Sequence, residues 1–71
     1  MVVYKVINLI GESEKSFSDA VNNAVRKAAQ TIKQIKYSEI VRFSTKIENG
    51  MVTLYQAEVR LSFQVENEKQ I

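Results

Sequence analysis

Apolar and polar residues alternate most regularly in the last third of the chain, where they predict one long strand. From Met51 to Val65 the odd-numbered residues are apolar or nearly so, and most of the even-numbered ones are polar. A period of two is typical of a β-strand with one buried face. The Asn49-Gly50 pair in front of it is a turn signal, so a hairpin with the preceding strand is expected.

A helix is predicted over Ser16 to Ile35. Apolar residues recur there at helical spacing along one stripe, at Phe17, Ala20, Val21, Ala24, Val25, Ala28, Ile32 and Ile35. Ser16 is a favourable N-cap residue, and Asp19 three positions later is expected to complete a capping box.

The first apolar run, Val2 to Ile10, predicts a strand that ends at Gly11. The element order is therefore β-α-β-β. The first and second strands are joined through a helix and run parallel, and the third runs against both and fits between them. The predicted fold is α+β, a three-stranded antiparallel sheet in the order 1-3-2 wrapped around one helix.

The hairpin register follows from matching the apolar faces of its two strands. On the second strand the odd residues from Tyr37 to Ile47 are the more apolar set. A two-residue turn would place the two apolar sets on opposite faces, which register rules disfavour. A three-residue loop over 48–50 is predicted instead, with Ile47 opposite Met51, Phe43 opposite Tyr55 and Val41 opposite Ala57. In this register Gln56 faces outward beside Arg42.

The predicted sheet is too large for its helix. Twenty helical residues span about 30 Å, whereas a strand from Met51 to Val65 spans roughly 48 Å. The sheet must curl around the helix, and apolar Ile40, Val52 and Leu54 are expected on its outer face. An exposed apolar patch of this kind indicates an interface, here with identical copies.

Composition supports an assembly of one-domain subunits. The 71 residues form a single domain over 1–71, whose polar end, 66–71, is expected to be a flexible tail. Domains this small usually need additional stabilisation. The absence of Cys and His rules out disulfides and removes the usual zinc ligands, so oligomerisation remains.

Charge and residue types argue against several functions. The net charge is only +2 and acids are interleaved with bases, so no nucleic-acid partner is expected. The first apolar run is broken by Lys5 and Asn8 and resembles neither a signal peptide nor a membrane span, which makes the cytoplasm the expected location. No residue pair has the pattern of a nucleophile and its base, so no catalysis is expected.

Three stretches resemble the dodecins over residues 2–65 without a gap: VVYKVINLIG, SFSDAVNNAVRKAAQTIKQIKYSEIV and IENGMVTLYQAEVRLSF. The specific motifs are Tyr4-Lys5-Val6, Asp19-Ala20 with Asn23-Ala24, and Tyr55-Gln56. The resemblance implies a hollow homododecamer that binds flavins in pairs between aromatic side chains and stores or protects them.

The resemblance assigns two cofactor-binding residues, Tyr37 and Gln56, and no catalytic or metal residue. Typical dodecins have a Trp-Phe-Glu stretch whose Trp stacks on the flavin. The matching stretch here begins with Tyr37, and the chain contains no Trp. Gln56 matches the glutamine that hydrogen-bonds the flavin, whereas Ser44-Thr45-Lys46 replaces a common Arg-Gly-His stretch.

The expected ligand is FMN, riboflavin or FAD, bound more weakly than by a Trp-containing dodecin. A smaller stacking ring costs about 1–2 kcal/mol, or roughly 5- to 30-fold in affinity. The alternative is a dodecin-fold shell that has lost flavin and binds another small molecule or ion, or is purely structural. A small dimeric nucleic-acid module is the remaining class.

Overall fold

The computed structural model describes residues 2–65, and the predicted tail at 66–71 lies outside them. The chain folds into β1 (Val3–Ser13), α1 (Phe17–Ala29), β2 (Ile35–Glu48) and β3 (Met51–Val65). The strands form one sheet in the order β1-β3-β2, and both neighbouring pairs are antiparallel. The predicted α+β fold and strand order are confirmed.

The helix is shorter than predicted, because it ends at Ala29 and not at Ile35. The amides of Gln30 and Thr31 bond to carbonyls three residues earlier, at 3.2 and 3.1 Å, which tightens the last turn. Gln34 then takes a left-handed φ of 67° and redirects the chain into β2. Ile32 and Ile35 pack against the core from outside the helix. Their spacing continues that of the helical apolar residues, which is why the predicted helix was too long.

The first strand does not stop at Gly11 but continues to Ser13. Gly11 is paired with Ala57 inside the sheet, and the backbone of α1 lies close to it at Ala20 and Ala24. A Cβ atom at this position would overlap the carbonyl oxygen of Ala20. Glycine here permits close packing of helix on strand and is not a strand terminator.

The start of the helix combines a predicted and an unpredicted contact. Ser16 Oγ accepts the Asp19 amide at 3.0 Å, as a capping residue should. The Asp19 carboxylate does not return to Ser16, so the predicted capping box is wrong. It accepts the Ser13 hydroxyl at 2.8 Å, and Ser13 Oγ accepts the amides of Lys15 and Ser16. The buried Ser13 therefore ties the end of β1 to the start of α1.

The core is small and built largely from alanine. The helix buries Ala20, Ala24 and Ala28, and β3 buries Ala57, Val59 and Leu61. The helix packs mainly against β1 and β3 and reaches β2 through Phe17, whose ring lies 4.5 Å from that of Phe43. Short side chains on the helix bring its backbone close to the sheet.

The hairpin turn differs from the prediction. Asn49 and Gly50 form a two-residue turn with φ of 54° and 76°, and Glu48 pairs with Met51. These left-handed angles are those of a type I′ turn. The predicted three-residue loop is therefore wrong, and so is the predicted pairing of Ile47 with Met51.

A β-bulge corrects the mismatch that the two-residue turn creates. Thr53 is the additional residue between the pairs Ile47–Val52 and Lys46–Leu54. Beyond it odd residues again oppose odd residues, with Phe43 opposite Ala57 and Thr45 opposite Tyr55. The predicted pairs of Phe43 with Tyr55 and of Val41 with Ala57 are therefore displaced. The bulge at Thr53, and not the length of the loop, places the apolar residues of β2 and β3 on the same face.

A second bulge, at Val41, moves the first half of β2 to the other face. Ile40 lies opposite the buried Val59, so it shares the helix-facing side and the expectation that it is on the outer face is wrong. Glu39 and Tyr37 lie opposite Arg60 and Ser62, on the face turned away from α1. We call this side of the sheet the outer face.

The sheet extends well beyond the helix. The thirteen residues of α1 span ~20 Å, whereas the described chain extends over 60 × 20 × 13 Å. Large apolar side chains are consequently exposed on both faces, among them Val6, Ile10, Tyr37, Phe43, Ile47 and Met51. Within residues 2–65 no helix has the length and hydropathy needed to cross a membrane.

Replacing Gly11 with Ala tests the close packing of α1 on β1. The added methyl group overlaps backbone, so we expect a loss of about 1–3 kcal/mol in the free energy of unfolding. Urea unfolding followed by circular dichroism at fixed protein concentration measures it. Gly50→Asn is the matched control, because Asn tolerates a left-handed φ and position 50 has open space around it. Equal midpoints for wild type and Gly11→Ala would contradict the packing argument.

Candidate ligand-binding surface

The outer face carries both residues that the sequence assigns to a ligand. Alternation along the paired strands places on it Tyr4, Val6, Asn8, Ile10 and Glu12 from β1, Gln56, Glu58, Arg60, Ser62 and Gln64 from β3, and Tyr37, Glu39, Arg42 and Ser44 from β2. One end of this face is aromatic and apolar, and the other is polar.

The aromatic end is formed by two tyrosines. Tyr37 is 63% exposed and Tyr4 is 40% exposed, and their ring centroids lie 5.8 Å apart at an angle of 65°. This edge-to-face arrangement is a favourable geometry for aromatic pairs. Desolvation, with a smaller contribution from the neighbouring Tyr37, raises the pKa of Tyr4, so its phenol remains neutral. With Val6 beside them, the two rings form an aromatic and apolar surface at this end of the outer face.

The polar end centres on Gln56, which lies on the outer face as predicted but opposite Ser44 and not beside Arg42. Its Nε2 donates to Glu12 Oε2 at 2.6 Å, and its Oε1 accepts the Ser44 hydroxyl at 3.3 Å. One residue from each flanking strand thus contacts the Gln56 amide. Glu12 can do so only because β1 continues past Gly11.

Beside Gln56 the charges are paired. Arg42 Nη2 lies 3.1 Å from Glu58 Oε1, and Asn8 donates to the other oxygen of Glu58 at 3.2 Å. Arg60 and Glu39 form a further exposed pair at 3.3 Å. A cavity of about 290 Å³ lies over this region and is lined by Ile10, Arg42, Ser44, Gln56 and Glu58. It is a shallow site with an apolar side and several hydrogen-bonding groups.

One chain does not bring Tyr37 and Gln56 together. Tyr37 lies opposite Ser62, six residues along β3 from Gln56, which is ~20 Å at about 3.3 Å per residue. A flavin ring is much shorter than this distance. A flavin ring that contacts both residue types would therefore have to lie between two chains.

Two further features of the described residues lie outside this surface or bear on metal binding. A cavity of about 410 Å³ lies near the end of α1, lined by Lys5, Thr31, Ile32, Lys33, Gln34, Phe63, Gln64 and Val65, and contains neither predicted site residue. Among residues 2–65 there is no group of three or more His, Cys, Asp or Glu side chains positioned to hold a metal ion.

Sequence reasoning missed three residues of the outer face that contact the predicted ones. Tyr4 contacts Tyr37, and Glu12 and Ser44 contact Gln56. Tyr4 and Glu12 lie on one face of β1, but the predicted strand ended at Gly11, so Glu12 was not expected in the sheet. Ser44 was seen only as a departure from a family motif.

The order β1-β3-β2 with one helix on one face places the chain among the small β-α-β-β proteins. The family model described as Dodecin matches residues 3–66. The chain belongs to the dodecin family.

The chain is similar to relatives with different names. It is 28% identical over 65 residues to a calcium dodecin of Mycobacterium tuberculosis, covering 92% of each chain. It is also 28% identical over 64 residues to a dodecin of Thermus thermophilus, covering 90% of this chain and 93% of that protein.

Solved structures give the same result. The dodecin of Streptomyces coelicolor superposes with a TM-score of 0.89 at 31% identity, over 94% of this chain and 96% of that one. The calcium dodecin of Mycobacterium tuberculosis, described as having a novel calcium-binding site, superposes with a TM-score of 0.79 at 26% identity, over 97% and 99%. The family is thus clear, and the names of its members do not decide the ligand.

Proposed function

We propose that this dodecin forms a homododecamer that binds a flavin at the contacts between its subunits and stores or sequesters it without chemical conversion. Riboflavin, FMN and FAD are the candidate ligands. The observation that carries the proposal is the position of Tyr37. The Val41 bulge turns this ring onto the outer face, where it is 63% exposed, and not into the core.

Assembly is supported by the amount of exposed apolar surface. Within residues 2–65 six buried residues form the core, while many large apolar side chains on both faces are exposed to water. A single chain of this size has only a small free energy of unfolding. Contiguous exposed apolar patches mark interfaces. Contacts between copies would cover these patches and would also bring Tyr37 of one subunit near Gln56 of another.

Flavin chemistry fits the two ends of the outer face. The isoalloxazine ring is planar and stacks on an aromatic side chain, and its pyrimidine edge carries carbonyl and N–H groups. Tyr37 supplies the ring and Gln56 supplies a donor and an acceptor. A phenol covers less of the ligand than an indole, so the proposed affinity is weaker than with Trp at this position.

The second candidate is a dodecin shell that binds another small molecule or an ion. The similarity to a calcium dodecin over 92% of the chain favours it. We place the proposed calcium site between subunits, where carboxylate and carbonyl oxygens of several chains can combine. Both candidates describe a binding protein that acts in the cytoplasm without a nucleic-acid or membrane partner.

Sedimentation velocity tests the assembly. At micromolar concentration we expect one species of about twelve times the 8.1 kDa chain mass. The exposed apolar surface favours assembly, and the number of copies is the one expected of a dodecin. A folded single chain under these conditions would contradict the proposal. A species of two chains that binds DNA in a salt-dependent way would favour a nucleic-acid module.

Titration of riboflavin and FMN into the assembled protein tests the ligand. We expect quenching of flavin fluorescence that saturates with protein. A dodecamer that quenches neither flavin would overturn the flavin proposal. In that case calorimetric titration with Ca²⁺ would test the second candidate.

Substitutions of Tyr37 test its stacking role. Tyr37→Trp should tighten flavin binding about 5- to 30-fold, because the larger ring covers more of the ligand. Tyr37→Leu should weaken binding about tenfold, and Tyr37→Phe, which keeps the ring, should stay within about threefold of wild type. Native mass is the control for each variant. Equal affinities for the Leu and Phe variants would show that the ring does not stack on the flavin.

A further inference from the structure

The Gln56 amide is held in one orientation. Glu12 Oε2 lies 2.6 Å from Nε2 on one side, and the Ser44 hydroxyl lies 3.3 Å from Oε1 on the other. A carboxylate can only accept hydrogen bonds, so Glu12 requires the NH₂ end of the amide to face β1. Ser44 alone would not fix the orientation, because a hydroxyl can donate or accept. Glu12 is therefore the group that determines it.

The fixed amide keeps half of its hydrogen-bonding capacity free. A primary amide has two N–H donors and two carbonyl lone pairs, and the flanking strands use one of each. Glu12 and Ser44 approach from opposite neighbouring strands, so the remaining N–H and lone pair lie side by side on the edge turned away from the sheet. Gln56 lines the cavity of about 290 Å³ together with the apolar side chain of Ile10.

We infer that Glu12 is a positioning residue that makes the site selective for planar rings with an adjacent C=O and N–H. This inference rests on the proposed function. The free N–H of Gln56 donates to the ring carbonyl, and the free lone pair of Oε1 accepts the ring N–H. In a flavin these groups are a carbonyl of the pyrimidine edge and N3–H. A ring alkylated at N3 places a methyl group against Oε1 and leaves this acceptor unpaired, which is unfavourable.

Discrimination between ligands with and without a free ring N–H distinguishes the positioning role of Glu12 from a role in stabilising the fold. With Glu12 in place the amide cannot turn to avoid the methyl group. With Gln at position 12 the contact no longer favours one orientation, because a second amide can donate as well as accept. Gln56 can then rotate, and discrimination should fall even if the fold and the assembly are unchanged.

The experiment compares riboflavin with 3-methylriboflavin by fluorescence quenching. Both ligands are uncharged, so the charge lost in Glu12→Gln does not bias the comparison. We expect wild type to prefer riboflavin about tenfold, and Glu12→Gln to reduce this preference to about threefold or less, mainly through weaker riboflavin binding. Ser44→Ala should keep most of the preference, because Glu12 still orients the amide.

Glu14→Gln is the matched control. Glu14 is exposed, lies two residues from Glu12 and loses the same charge, and should keep the wild-type preference. The inference is overturned if wild type binds both ligands equally, if Glu12→Gln keeps the full preference, or if Glu14→Gln loses it to the same extent. If wild type binds neither ligand, the proposed function fails and the inference fails with it.

Discussion

The close contact of a short alanine-faced helix with a much longer sheet determines most of this structure. Gly11 and Ala20 touch backbone to backbone, which holds α1 against β1 and β3. The helix is too short to cover the sheet, because α1 has thirteen helical residues and β3 has fifteen residues in the extended conformation. The outer face and the outer half of the hairpin are left without a cover from their own chain. The exposed apolar surface and the exposed outer face thus have a single origin.

Three bulges interrupt the pairing of the hairpin, at Lys36, Val41 and Thr53, and the last two connect this geometry to the candidate site. Thr53 restores the match between the apolar faces after a tight Asn-Gly turn, and Val41 exchanges the faces in the first half of β2. Without the second bulge Tyr37 would point toward the helix side, where a ligand on the outer face could not reach it. The aromatic residue and Gln56 consequently share one face, although they lie far apart along it.

Periodicity in the sequence was sufficient to predict the strand order, the bounds of β3 and the alternation that turns Gln56 outward. Predictions from periodicity were wrong where the backbone is irregular although the apolar spacing in the sequence continues. Ile32 and Ile35 kept helical spacing after the helix had ended, and the register argument assumed strands without bulges. Contacts such as Glu12 with Gln56 are separated by 44 positions and depend on β1 continuing through Gly11. Tyr37 was identified only by its resemblance to a family motif, because nothing in its local pattern distinguishes it from a core residue.

The bulges have another effect, on how the strand at the edge of the sheet meets other molecules. In the order β1-β3-β2, the fourteen-residue β2 has one side without a neighbour from its own chain. A long flat edge is a template on which further strands can add, which leads to fibrils. Additional residues at Lys36 and Val41 interrupt the regular spacing of its backbone groups. Edge-to-edge growth is thereby hindered, which leaves the exposed apolar faces of the sheet as the surface through which copies of the chain can join.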